Sequence, residues 1–384
     1  MMFVALIAAL LLFSILLAVT GKGTLFIPSN ITNLISQNAY VVILATGMLL
    51  CILTGGNIDL SVGSVVAFVG AIAGQLIVSM KFNIYITILL CLVVGLAVGC
   101  WHGFWIAYIK IPPFIVTLSG MMVWRGMALV VLNGFTLNPF PDDYQAIFAG
   151  YLPIIASGDP SGKLVRMWVT LAVGILICIV FIIATLIGRS NRVRKGYKAG
   201  DTGTLIAKIV LVCAIVMIIF WFLSQDKGLP VVLIMLGVIV GAYSYFTAKT
   251  VPGRHLYALG GNAKAAQLSG VNTNRVMFFA YANMGFLSAV TALVSVGRFS
   301  AANPQMGTSY ELDAIGACFI GGASAYGGTG TVGGAVVGAI FMGVLNNGLS
   351  MMHADQNIVN PIKGLVLLMA VAFDVISKRR ARSM

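Results

Sequence analysis

Acidic side chains are scarce in this chain. Ten Asp and Glu and three His stand among 384 residues, and charged residues make up only 9% of the total. That leaves little material for catalysis. His102, His255 and His353 are scattered, so neither a metal site nor a nucleophilic triad assembles from them. The six cysteines (Cys51, Cys91, Cys100, Cys178, Cys213, Cys318) all fall in apolar runs without a CxxC pair. A disulfide framework and a zinc site are therefore unsupported, and the cysteines read as small buried hydrophobes. No GxxxxGK[ST] occurs, so the chain carries no P-loop for ATP. Gly328, Gly330 and Gly333 match GxGxxG, but an apolar helix follows and no acid comes before Asp355. A dinucleotide site needs a preceding strand and an acid about 20 residues on, so the stretch reads as a flexible break between helices. No cofactor is implied. Lys and Arg outnumber the acids 23 to 10, yet they sit in short loops and form no basic stripe with interleaved aromatics. That excludes a nucleic-acid partner.

Apolar residues, by contrast, make up 60% of the chain, with 44 glycines and a mean hydropathy of +1.02. This composition describes an all-α polytopic membrane protein. Apolar runs read as spans at roughly 1–20, 38–54, 62–80, 84–109, 111–133, 167–187, 204–224, 230–248, 277–297, 331–350 and 360–377. The run 312–322 is too short to cross alone unless it extends toward Tyr310, and reads as a re-entrant or broken helix. Counted as a crossing, it gives twelve passes with both termini inside, within an expected range of 10–12. Residues 1–19 have no basic residue before Lys22 and read as a first membrane helix, not a signal peptide. The missing basic flank also suggests a natural start upstream.

With the N-terminus inside, 15 of the 23 Lys and Arg fall on the cytoplasmic side, including Arg189, Arg192, Arg194, Lys195 and Lys198. Seven, including Lys163, Lys227 and Lys363, fall outside, and Arg125 lies within the membrane. Seven of the ten acids, Asp159 among them, fall outside. The positive-inside rule supports this orientation and opposes its inverse, and the basic loops would meet anionic lipid. The loop 134–166 is extracytoplasmic and rich in Pro, Gly and Asp; the loop 188–203 is cytoplasmic and basic.

The polar island 249–276 stands out between two apolar runs. Within it Asn262 reads as an N-cap, Ala263–Ser269 as a short Ala-rich helix, and Gly270 as its stop. A capped helix flanked by glycines offers a rigid knob to a soluble partner, whereas an inert connector is usually shorter. In GGNIDLSVGSVV (55–66), Gly55 and Gly56 break a helix, and Asp59 or Ser61 can cap the next one. An ionisable residue at membrane depth is a functional candidate; a plain interfacial turn remains the alternative. Arg125 lies near mid-span, where an Arg costs about 3 kcal/mol on the lenient insertion scale. It requires carbonyls or an acid, with Asp59, Glu311 and Asp313 as candidates, and structural pairing is favoured over substrate contact. Gly95, Gly99 and Gly103, and again Gly330, Gly334 and Gly338, recur at every fourth residue, the spacing that lets membrane helices approach closely.

At these motifs the chain resembles the permease subunit of bacterial ABC sugar importers of the ribose/galactose/xylose class. The resemblance rests on GGNIDLSVGS (55–64), IPPFIVTLSGMMVWRG (111–126), GRHLYALGGNAKAAQLSGV (253–271) and YELDAIGACFIGGASAYGGTGTVGGAVVGAI (310–340). The spans 167–187 and 204–224 make it longer than the ribose and galactose permeases, and most like the xylose and multiple-monosaccharide members. The resemblance implies one permease domain over 1–384 in the bacterial inner membrane, without its own ATP site. It further implies a second permease copy, a separate cytoplasmic ATPase subunit and an extracytoplasmic sugar-binding protein. Carried over, Gly261, Asn262, Ala265, Ala266 and Gly270 become the ATPase-docking loop. The segments holding Asp59, Ser61, Glu311 and Asp313, with Arg125, lie near the translocation path. Two alternatives stay open: a proton- or sodium-coupled transporter using Asp59 or Glu311, and a permease of branched-chain amino-acid importers.

Overall fold

The structure, a computed structural model, describes residues 2–152, 160–196 and 201–383. Its helices run α1 (Met2–Thr20), α2 (Pro28–Gln37), α3 (Ala39–Leu53), α4 (Val62–Gly74), α5 (Ile84–Ala107), α6 (Pro113–Leu132), α7 (Asp142–Ala149), α8 (Pro160–Arg194) and α9 (Thr202–Gln225). They continue as α10 (Val231–Lys249), α11 (Val251–Gly261), α12 (Ala263–Leu268), α13 (Thr273–Phe299), α14 (Tyr310–Ile320), α15 (Val332–Met351) and α16 (Gln356–Ser383). A π-helical turn, Gln75–Ser79, extends α4. Two-residue strands β1 (Tyr151–Leu152) and β2 (Leu229–Pro230) pair antiparallel, Tyr151 opposite Pro230 and Leu152 opposite Leu229.

Among the described residues, eleven helical segments are long and apolar enough to cross a bilayer, and they reproduce the apolar runs of the sequence closely. The short run 312–322 is not one of the eleven: it is α14, which does begin at Tyr310 and carries the chain from the end of α13 back to Gly328, whose N donates to Leu53 O. α14 has 11 residues, about 16 Å of helix at 1.5 Å per residue, against a hydrocarbon core of about 30 Å. The two long loops also carry more structure than composition suggested. The segment 134–166 contains α7, whose Tyr144 and Phe148 are buried beside Phe140. The basic loop 188–203 is helical as far as Arg194, because α8 runs on for 35 residues. Residues 153–159 and 197–200, with Asp159 and Lys198, lie outside the described residues.

The chain divides into two compact units. The smaller, residues 25–33 and 150–231, is built on the α8–α9 hairpin. There Gly174 lies under the Phe220 ring, and the outer faces, such as Ile175, Leu176, Val210 and Leu211, are exposed as lipid-facing surface must be. The larger unit holds the remaining residues and is organised around α13, which packs on α5, α3 and α4. Glycine spacing explains the tightest of these contacts. A Cβ on Gly99 would lie 2.6 Å from Tyr281 O, and one on Gly285 2.3 Å from Gly95 O. Only a bare backbone lets α5 and α13 approach so closely, and in lipid such van der Waals contact replaces the missing hydrophobic drive. The second ridge works the same way between α15 and α14: a Cβ on Gly338 would lie 1.9 Å from Ala317 O.

Candidate functional site

The segment between α10 and α13 is a pair of capped helices. Thr250, extended, accepts at its hydroxyl from Gly253 N (3.2 Å) and so starts α11, with Pro252 in the first turn. Burial raises the Tyr257 phenol above its ordinary value, so it stays protonated and donates to Gly330 O at 2.9 Å. α12 begins as expected: Asn262 Oδ1 accepts from Ala265 N at 3.0 Å. It ends at Gly270 (φ 85°), with Val271 N closing onto Ala266 O at 3.0 Å. Of the five residues expected to dock a partner, Gly261, Asn262, Ala265 and Gly270 are exposed. Ala266 is not. It turns inward and anchors the helix. The side chain that does project is Leu268, 82% exposed, which sequence reasoning passed over. Its signal would have been an apolar residue at the end of a polar loop, next to the glycine stop.

α11 brings this loop onto the core. Gly55 and Gly56, both at positive φ, turn the chain out of α3. Gly327 and Gly328, also at positive φ, turn it between α14 and α15. These two turns and the end of α11 meet backbone to backbone. Gly328 N donates to Leu53 O at 3.1 Å. A Cβ on Gly260 would stand 1.9 Å from Leu53 O and 2.4 Å from Gly328 N, and one on Gly56 would stand 2.0 Å from Ala325 O. The glycine-rich stretch is therefore a break, as expected, but a pinned one: Ser324 N also bonds Thr329 O at 3.0 Å.

Asp59 and Ser61 are both buried. Asp59 Oδ1 accepts from Ser61 N (2.9 Å) and Ser61 Oγ (2.6 Å), while the Ser61 side chain makes no cap bond to α4. Asp59 thus closes the turn before α4. Glu311 lies close by, since a Cβ on Gly63 would meet Glu311 Oε2 at 2.5 Å and Gly307 O at 2.1 Å.

Arg125 finds carbonyls. Its Nη1 donates to Pro304 O (2.8 Å) and Met306 O (2.6 Å), so the backbone supplies its hydrogen bonds, and of the three acids Glu311 is near enough to act on it through charge. The guanidinium holds the α13–α14 connector, which is also bridged to Leu137 through both bonds of Ala302. Beside this connector lies a cavity of about 700 Å³.

Asp313 is the centre of a network that the sequence did not foretell. Lys363 Nζ donates to its Oδ2 at 2.9 Å and lies 2.9 Å from Oδ1, with the two side chains 8% and 0% exposed. Tyr40 Oη also donates to Oδ2, as does Asn346 Nδ2 at 3.2 Å. The Tyr40 ring stacks on Tyr310 at 3.7 Å. Lys363, counted by sequence among the outside charges, is a buried partner within the span Asn357–Ile376. The pairing lowers the cost of both charges in a medium where either alone is expensive.

Among the described residues no group of three or more His, Cys, Asp or Glu is placed to hold a metal ion. His102 is buried against Gly120, and its Nε2 accepts from Trp124 Nε1 at 3.2 Å. Such a contact fixes a neutral ring in a structural role.

A family model described as "Branched-chain amino acid transport system / permease component" matches residues 30–371. The xylose transport system permease protein XylH of Escherichia coli (strain K12) is 35% identical over 375 residues, covering 98% of this chain and 92% of the relative. XylH of Haemophilus influenzae is 34% identical over 363 residues, 94% and 93% of the two chains. The ribose import permease protein RbsC of Escherichia coli (strain K12) is 31% identical over 371 residues, 96% and 92% of the two. No solved structure gives a significant match.

Proposed function

The chain belongs to this family of transport permeases, and from that premise we propose that it is the membrane subunit of an ATP-driven ABC importer for a monosaccharide such as xylose, glucose or galactose. The relatives named for xylose and ribose support the sugar class. A branched-chain amino acid is the second reading, favoured by the family's printed description; competition of uptake by xylose or by leucine separates them. On the first reading the residues 1–384 act as one permease domain in the bacterial inner membrane, with both termini cytoplasmic and a second copy completing the path. ATP is hydrolysed on a separate cytoplasmic subunit, and a sugar-binding protein delivers substrate from the opposite face.

The observation that carries this reading is the build of the 249–276 loop. It presents Leu268, Gly261, Asn262, Ala265 and Gly270 outward on capped helices, while Gly260 rests on backbone atoms of both the α3 end and the α14–α15 break. A subunit that closes on ATP and pushes on α12 would move α11, and with it the segment 53–57 and the segment 322–331. Those segments lead into α4 and α15, and Glu311 and Asp313 sit on α14 beside them. Arg125, Asp59 and Ser61 position the gating elements without contacting sugar. Insertion of two charged residues between Ala265 and Ala266 is expected to abolish ATPase association and uptake while membrane insertion persists. Normal uptake by that variant would refute the docking role.

A further inference from the structure

The cavity beside the α13–α14 connector has a lining that selects a class of ligand. α13 is 27 residues long, about 40 Å at 1.5 Å per residue, and begins at the docking loop. Its far end, and the cavity there, therefore lie at the opposite membrane face. The volume of about 700 Å³ falls within the range of small-molecule sites, about 300–1,000 Å³. Two aromatic rings, Phe299 and Tyr310, stand in its wall with the amides of Asn303, Gln305 and Asn360 and the hydroxyl of Thr308. None of the described lining residues is charged.

The walls are preformed. Arg125 holds Pro304 and Met306 from behind. Asn303 Oδ1 accepts from Gln305 N (2.7 Å), its Nδ2 donates to Thr136 Oγ1 (3.1 Å), and Thr308 Oγ1 donates to Gln305 O (2.6 Å). Tyr310 is fixed by its stack on Tyr40. Two groups are left facing open space. Phe299 is 59% exposed, and the Gln305 side-chain amide has no hydrogen-bond partner among the described residues.

From this we infer that the permease itself carries a sugar-contact site at this cavity, a place where a neutral monosaccharide rests after leaving its binding protein. Sugar rings present C–H faces that lie on aromatic rings, and hydroxyls that both donate and accept, as a carboxamide does. An amino acid would bring two full charges, and no lining side chain is ionised to meet them. The inference rests on the importer reading for its biological role, but its test needs neither the ATPase nor the binding protein.

The test is saturation-transfer NMR on the full chain in lipid nanodiscs, titrated separately with D-xylose, D-ribose and L-leucine. Transfer to at least one sugar and none to leucine is expected. Gln305→Ala and Phe299→Ala should each raise the sugar's dissociation constant about fivefold, the scale of one lost hydrogen bond or ring contact. Ala265→Asp, in the docking loop, should leave it unchanged. No transfer to either sugar, or transfer indifferent to both cavity variants, overturns the site. Transfer to leucine overturns the sugar class and the substrate reading with it. Gln305 is exposed, so its variant carries the test even where Phe299→Ala expresses poorly.

Discussion

Replacing Gly260 with Ala tests whether the docking loop is mechanically joined to the core. The added Cβ would stand 1.9 Å from Leu53 O and 2.4 Å from Gly328 N. Both are backbone atoms, so no side chain can rotate away and the segments themselves must separate. Such overpacking costs about 1–3 kcal/mol. Separation also stretches the 3.1 Å bond from Gly328 N to Leu53 O, worth about 0.5–1.5 kcal/mol. The combined loss is about 2–4 kcal/mol. For a chain of this length the unfolding entropy is about 0.8 kcal/mol per degree, so Tm falls by about 3–5 °C. Gly261→Ala is the matched control, since a Cβ there meets nothing within 4 Å. Thermal unfolding of the full chain in detergent reads the difference, and uptake reads its consequence. Equal Tm values for the two variants would refute the junction, because chemistry and sequence position are otherwise nearly identical.

Two further outcomes follow from single contacts. Lys363→Met leaves the Asp313 carboxylate buried without its cation and should cost about 3–5 kcal/mol; the double variant with Asp313→Asn should recover most of it in a thermal-unfolding cycle, and additive losses would argue against the pair. Asn262→Ala removes the bond to Ala265 N and should destabilise α12 by about 0.5–2 kcal/mol, read as faster amide exchange at Ala265 and weaker capture of the ATPase subunit with membrane insertion unchanged.

The spans were legible because lipid imposes one rule: about 20 apolar residues per crossing. The cap at Asn262 and the stop at Gly270 were legible for a similar reason, since both effects act within a few residues and their partners lie in the same segment. α7 escaped notice because eight residues beginning Asp142–Asp143 read as polar loop, and its buried face is set by Tyr144 and Phe148 meeting distant elements. The same limit hid the charges. By sequence Lys363 is a lysine near a helix start, where an aqueous end is the default; only the fold places it 2.9 Å from a carboxylate fifty residues away. Arg125 was read as needing a partner, but sequence ranked three acids beside the carbonyls that hold it, because a connector's bends are not written in its composition.

A glycine pair shows the limit most plainly. Gly260 and Gly261 are indistinguishable as residues, and either one suits a helix end. One would drive a Cβ into backbone from two distant segments, and the other faces open space. The difference lies in what α11 is laid upon, a carbonyl more than 200 residues upstream and an amide nearly 70 residues downstream. A partner pressing on α12 therefore has an incompressible route inward through Gly260, with no side chain to absorb the movement. On the docking reading proposed above, the bare backbone at position 260, more than any charged residue in the loop, is what would carry that push inward.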